Sequence, residues 1–479
     1  MTCVKMSLIV AIMICATSGV LAQGPSWYQL DTEGTAKFEA GDIQNAETQF
    51  TAALALAEKT FGKSHLNVAI SLTKLADIYA SKRKVSEAEA MYQRALKIQE
   101  QALGKECLDV RATLVALADL SESLNKFAES EQHWRRILEI DKKVYGRQHP
   151  MVADTLVRLA ELKKAQQQTA EAERLLKSAL TISESANGKE SPYVASILVS
   201  LAETFAAEKK FPQAEQLASK AVEINSKALG KDNMNVAPSL SALADLYSSQ
   251  DKAADVENTL KRVLSIYEKS YGTDSPDLTQ ALNELAKFYT ANGRYDDAEA
   301  VIKRALLINE KSLGKDNPDV ATAMITLANM YSEKGDYAAA EPLLKRALEI
   351  YETALGKDNP DVATAMNNLA NLYSVQGKNA EAEPLLKKAL EIYRKALGND
   401  AREVAIALNN LGNAYVGQKK YVDAEPLFKD AVRVYEGAAG KESPDVAEVL
   451  INMASLCDET GRPDEATNLR RRATKIINR

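Results

Sequence analysis

Glycine returns in this chain at positions 62, 104, 146, 188, 230, 272, 314, 356, 398 and 440, and every interval is 42 residues. No insertion or deletion breaks the register, and the residues LGKDNPDVATAM at 313–324 are spelled again at 355–366. Strict self-similarity at a period of roughly 20 to 50 residues marks a stacked array, in which one module cannot bury its apolar face alone and neighbours bury it jointly. The length of 479 residues taken by itself suggests three ordinary domains; the repeat overrides that reading. A degenerate copy, from about Trp27 to Phe61, precedes the regular ones. The expected organisation is a leader at 1–22, a short linker with the degenerate repeat at 23–61, and an array of ten 42-residue repeats at 62–479.

Each module reads as two helices. In the copy that starts at Gly314, the glycine ends a helix, where it tolerates the left-handed conformation. Asn317 then offers a side-chain oxygen as N-cap, and Pro318 suits the first turn because its missing N–H is not needed there. The pair recurs as His149-Pro150, Ser191-Pro192, Ser275-Pro276, Asn359-Pro360 and Ser443-Pro444. The first helix is expected to reach about Ser332, with Met324, Leu327, Ala328 and Tyr331 at the i, i+3, i+4, i+7 spacing of one face. Lys334-Gly335-Asp336 supplies the turn. The second helix, Tyr337 to Leu355, carries Ala340, Leu344, Ala347 and Leu348 inward. The position of Ala328 holds only alanine or glycine, from Gly34 to Ala454, so a close helix approach is expected there. A composition rich in alanine and leucine, with aromatics at 6%, suits helices throughout. The fold class is all-α: a solenoid of about eleven helix-turn-helix units, held by a sum of interfaces.

The pattern Leu327-Ala328-x-x-Tyr331, then Gly335-x-Tyr337-x-x-Ala340, then Ala347-Leu348 resembles the tetratricopeptide repeat (TPR). The stretch NNLANLYSVQGKNAEAEPLLKKALEIY at 367–393 and the 42-residue step resemble the variant found in kinesin light chains. The resemblance covers almost all of residues 27–479. It implies a right-handed superhelix whose first helices line a concave side, and a scaffold that binds peptides or proteins. There is no heptad segment for joining a kinesin heavy chain, so cargo transport is not expected.

No catalytic constellation emerges. His65 and His149 stand in the cap column of Asn317, and His133 lies beside Trp134 in a separate repeat; metal binding needs ligands clustered in space. Gly62-Lys63-Ser64 lacks the glycine five residues earlier that a phosphate loop requires, since Ala57 is there. Arg470-Arg471-Arg472 reads as the polar outer face of a terminal repeat, and Glu341-Pro342 and Glu383-Pro384 as a solvated start of the second helix. Cys457 occupies the column of Tyr331 and is expected in the core. The net charge of -6 gives no support to nucleic-acid binding. No cofactor, no metal and no enzymatic activity are expected.

Lys5, an apolar run from Met6 to Ala16, and the exit Val20-Leu21-Ala22 have the layout of a secretory signal peptide cleaved after Ala22. The expected location is periplasmic or extracellular, with an uncleaved membrane anchor as the alternative. Cys3 and Cys15 would leave with the leader; Cys107 and Cys457 would remain.

The positions of Ile325, Asn329 and Ser332 share a face beside the buried one. The resemblance implies that this face lines the groove. The Asn329 column runs Asp77, Asp119, Glu161, Glu203, Asp245, Lys287, Asn329, Asn371, Asn413, Ser455, acidic at first and amide-rich later. The Ile325 column has Val115, Val157 and Val199 early, and Asn283, Asn367 and Asn409 late. Asparagine carries donors and an acceptor, so such a ladder can hold a peptide backbone without dictating its sequence. The candidate groove residues are therefore Asn283, Lys287, Asn329, Asn367, Asn371, Asn409 and Asn413, with the acidic half favouring basic partners. Cations are too few in this face, with Lys164 and Lys287, for a clamp that grips a carboxylate tail. The alternatives are copied solvated residues with no ligand, or an assembly protein that stacks on itself; a peptide-binding scaffold is expected to be monomeric.

Overall fold

The computed structural model describes residues 25–478 apart from Arg83, so the leader expected at 1–22 lies outside the described residues. The described residues form twenty-two α-helices and no strand, the solenoid of paired helices that the repeat calls for. Two compact units result, one ending at Asp251 and one beginning at Lys252.

The module from Gly314 shows the plan. Its first helix runs Pro318–Lys334 and its second Tyr337–Leu355. Asn317 caps the first by accepting the Asp319 N–H at 2.8 Å. His65 and His149 do the same through Nδ1, each at 3.2 Å from the N–H two residues on. In two copies the cap opens a short 3-10 turn instead, Met234–Val236 and Pro276–Leu278, which continues into the helix.

The two turns of the module use glycine differently. Gly314, at φ 90° and ψ 153°, is not in the left-handed helical region expected for it; it lies in an extended positive-φ region that side chains effectively forbid. That explains why the repeat-boundary glycine is never replaced. Gly335, at φ 84° and ψ 5°, is left-handed. Its column admits Asn125, Gln167, Lys209, Asp251 and Lys419, all at φ between 55° and 61°, because the left-handed well is costly for a side chain but open to it.

Packing is broader than one face. Leu327 and Ala328 are buried as expected, but so are Val320, Ala321, Ala323, Ile325 and Met330, while Met324 and Tyr331 are half-buried. The first helix touches the second helix of its own repeat, the second helix before it and the first helix after it. Three neighbours cover most of its circumference. On the second helix Ala340, Leu344 and Ala347 are buried with Ile350 and Tyr351, and Leu348 is half-buried.

The close approach at Ala328 uses glycine in two repeats, although Ala76 and Ala118 stand at the same position opposite Tyr92 and Trp134. The two glycines of that column, Gly34 and Gly412, are the two that face phenylalanine: an added Cβ would lie 2.6 Å from the Phe50 ring and 2.7 Å from the Phe428 ring. Where the facing residue is Leu344 or Leu386, the column holds Ala328 or Ala370.

The start of the second helix is not merely solvated. Glutamate fills the Glu341 position in ten successive copies, from Glu47 to Glu425. Several of these carboxylates take a cation from the next repeat's turn: Arg294 on Glu257 at 2.5 Å, Lys420 on Glu383 at 2.8 Å, Arg462 on Glu425 at 2.9 Å. Tyr289 and Tyr331 donate to Glu257 and Glu299 at 3.1 and 2.9 Å. Hydrogen bonds from Arg294 and Lys261 hold Glu257 down at about 2, and those from Lys387 and Lys420 do the same for Glu383. These links tie each repeat to the following one.

Candidate peptide-binding face

The strip left uncovered on the first helices is the Asn329 column. Asp77, Asp119, Glu203, Asp245, Lys287, Asn329 and Asn371 are exposed, and Glu161 and Asn413 half-exposed. Yet desolvation pushes Asp77, Asp119 and Asp245 above the usual aspartate value. A carboxylate that water reaches while protein crowds its flanks sits in a recess. By contrast Glu223, on a second helix, is held low by a hydrogen bond from Lys227.

The acidic run is partly neutralised in place. Arg158 pairs with Asp119 at 2.7 Å, and Lys164 bridges Glu161 and Glu203 at 2.8 and 2.6 Å. Asp77 accepts from Tyr92. Asp245 has no side-chain partner among the described residues.

In the second unit the seven candidates divide. Lys287, Asn329, Asn371 and Asn413 make no side-chain hydrogen bond or ion pair among the described residues. Asn367 and Asn409, expected to share the open face, are instead buried, at 8% and 4% exposure. The next first helix covers them, and they bridge to it: Asn410 Nδ2 donates to Asn367 Oδ1 at 3.1 Å and Asn452 Nδ2 to Asn409 Oδ1 at 2.9 Å. Asn409 also donates to Glu448 at 3.3 Å. Asn283 is half-buried with its Oδ1 enclosed and without a partner. The residue that would answer it, 43 positions on, is Thr326, whose hydroxyl bonds the Thr322 carbonyl instead.

A further column escaped the sequence reading. At the position of Tyr351, near the end of the second helix, stand Gln99, Asp141, Ser183, Asn225, Tyr267, Asn309, Tyr351, Tyr393 and Tyr435. Tyr351 and Tyr393 reach back to the first helix of their own repeat, with hydroxyls 2.7 and 2.8 Å from Thr322 and Thr364. Asp141, fully buried, is gripped by Arg111 at 2.5 and 3.1 Å and by Thr155 at 2.6 Å. Where the residue is Asn225 or Asn309, an open cleft of about 450 Å³ appears. The alternation of short and long side chains along this one column was the available signal.

Among the described residues, no group of three or more His, Cys, Asp or Glu is placed to hold a metal, and no helix is long and apolar enough to cross a membrane. Cys107 and Cys457 are buried and free, Cys457 in the core as expected. Arg470 and Arg472 pair with Asp458 and Glu436 of their own array.

A tetratricopeptide repeat family model matches residues 30–101, 109–185, 193–269, 277–353, 334–395, 361–437 and 403–479. The chain belongs to the tetratricopeptide repeat family. No curated protein sequence matches it. Similar solved structures include BtubC (BKLC) from P. vanneervenii, 24% identical, covering 48% of this chain and 89% of that one at a TM-score of 0.39. A putative kinesin light chain from P. anserina with nearly identical TPR-like repeats is 23% identical, covering 42% and 96%, with a TM-score of 0.36. The apo quorum sensor NprR from B. thuringiensis is 14% identical, covering 75% and 99%, with a TM-score of 0.47. A TPR array is typically a non-catalytic scaffold for protein interactions.

Proposed function

We propose that this TPR protein is a monomeric, non-enzymatic scaffold that holds an extended segment of a partner protein along the first helices of its second unit. The observation that carries the reading is the contrast between two sets of amides. Asn367 and Asn409 are buried and bonded within the array, whereas Asn329, Asn371 and Asn413, with Lys287, stand accessible with no partner among the described residues. Amides left free at a constant step can pair with peptide groups several residues apart along a bound strand, since helices pack about 8–10 Å apart and a strand rises about 3.3 Å per residue. We also propose that residues 1–22 direct export and are removed, which the intact mass of the mature chain tests: a start at Gln23 supports it.

Affinity capture with crosslinking mass spectrometry identifies the partner. Changing Asn371 and Asn413 to Ala is expected to leave helicity unchanged and weaken binding by about tenfold, the cost of two lost hydrogen bonds of about 0.5–1.5 kcal/mol each. Unchanged affinity for that partner rules the ladder out.

A further inference from the structure

The cleft at Asn225, in the first unit, is a tyrosine slot without its tyrosine. In the repeats of Tyr351 and Tyr393 the phenol crosses to the residue 29 positions earlier, Thr322 or Thr364. The residue 29 positions before Asn225 is Ser196, and Ser196 lines the open cleft of about 450 Å³. So the space that a ring fills elsewhere in the chain is open here because the side chain stops short.

The walls suit a ring. Pro192, Val199, Leu229 and Pro238 give apolar surface. The floor asks for a hydroxyl. Asn225 is 6% exposed, its Nδ2 donates to Ser239 Oγ at 2.9 Å, and its Oδ1 has no partner. Turning the amide over would let Ser239 donate to Oδ1 and would leave Nδ2 unpaired instead. A buried polar atom without a partner is costly, and a hydroxyl, which both donates and accepts, answers either orientation. The sister cleft at Asn309 lacks this combination: Thr279 already donates to Asn309 Oδ1 at 2.9 Å, and Glu284, Lys287 and Asp319 bring charge to its lining.

We propose that the Asn225 cleft receives the phenol side chain of a tyrosine presented by a partner polypeptide, its hydroxyl meeting the Asn225 amide. This rests on the scaffold reading and adds an anchor to it. The probe is p-cresol, the tyrosine side chain alone, titrated into the full chain with the methyl resonances of Val199 and Leu229 as reporters. Saturable shifts at both methyls are expected, with toluene binding about tenfold more weakly because it leaves the amide unanswered. Asn225→Tyr should fill the slot from within and abolish the shifts. Should that variant fold poorly, Asn225→Leu removes the amide at similar size, and p-cresol should then lose its advantage over toluene. Absent saturation, shifts confined to Leu313 in the Asn309 cleft, toluene matching p-cresol, or a preference that survives Asn225→Leu each overturn the proposal. Since p-cresol needs no partner, its failure leaves the Asn371 and Asn413 test standing, and the reverse holds too.

Discussion

The first unit, up to Asp251, and the second, from Lys252, have the same inside and different open faces. Both place glycine against phenylalanine at the tight helix contact, Gly34 on Phe50 and Gly412 on Phe428, and both tie repeats with a glutamate received by the next turn, as Glu131 by Lys163 at 2.8 Å and Glu383 by Lys420 at 2.8 Å. On the uncovered strip the first unit has carboxylates, partly paired, and the second has Lys287 and unpaired amides. The step between repeats is fixed by buried columns, so the open column is at liberty to change chemistry without disturbing the stack. That is the physical basis for reading function from the strip and stability from everything beneath it.

The shared interior is the easiest half of this comparison to break. Gly412→Ala drives a methyl into the Phe428 ring and should destabilise its repeat by about 1–3 kcal/mol, the usual cost of overpacking. Adding Phe428→Leu should restore most of the loss, and Gly34→Ala with Phe50→Leu should behave alike in the first unit. Hydrogen exchange of amides in the affected repeat is the suitable measurement, since long arrays depart from two-state unfolding. If Gly412→Ala costs nothing, the tight contact does not set the step.

The difference between the strips is tested by charge. Nonalysine, followed by fluorescence anisotropy at low salt, should bind the chain and lose about three- to tenfold in affinity when Asp77 and Asp245 become Asn, each exposed charge being worth up to about 1 kcal/mol. The loss should shrink as salt is raised. Asn371→Asp with Asn413→Asp should raise affinity by a similar factor. Equal responses to both double variants in sign would mean that the two strips are not electrostatically distinct.

Acid titration separates the two carboxylate classes by sign. Glu383 is held at about 2 in the fold against an ordinary 4.5. Its stabilising contribution is full above 4.5 and drains away as pH falls toward 2, so Glu383→Gln should be less stable than the parent at neutral pH and equal to it near pH 2. Asp245 is raised above its ordinary 3.8 by desolvation and by Glu203. Its charge opposes folding at neutral pH, and the folded state takes up the proton first on acidification. Asp245→Asn should therefore be more stable than the parent at pH 7, with the advantage gone below 3.8. Thermal melts across pH 2–7 read both.

The helix pairs, their caps and the small-residue contact were legible because each is a local matter of spacing within 42 residues. The open face was legible only in half. Asn367 and Asn371 are the same residue type four positions apart, and helical periodicity puts both beside the core. What separates them is the neighbour's first helix, which covers the Ile325 column and leaves the Asn329 column bare. No spacing inside one module states how far the next module leans over it. The clue was between modules: Asn410 and Asn452 each follow a bridged asparagine by 43 residues, one more than the repeat. The glutamate staples were missed for the same reason; the Tyr351 column acts within its own repeat, and its signal was the alternation of side-chain length from copy to copy rather than a spacing.

That spacing yields the smallest expected effect and the most specific. Asn283 has an enclosed, unpartnered Oδ1 because Thr326 stands where Asn410 and Asn452 stand in later repeats. Thr326→Asn would place an amide donor 43 residues on, as in the two observed bridges, and would remove the hydroxyl that now bonds the Thr322 carbonyl. The new bond, together with relief of the unpaired oxygen, should stabilise the interface by about 0.5–1.5 kcal/mol. Asn410→Ala should cost a comparable amount by leaving Asn367 Oδ1 unpaired. The two changes lie in different repeats of the second unit, and their effects should add. Slower hydrogen exchange around Asn283 in Thr326→Asn, with none around Asp77, would show that the bridge acts locally; no change there would mean that water already answers the oxygen, and the 43-residue bridge would then be worth little anywhere in the stack.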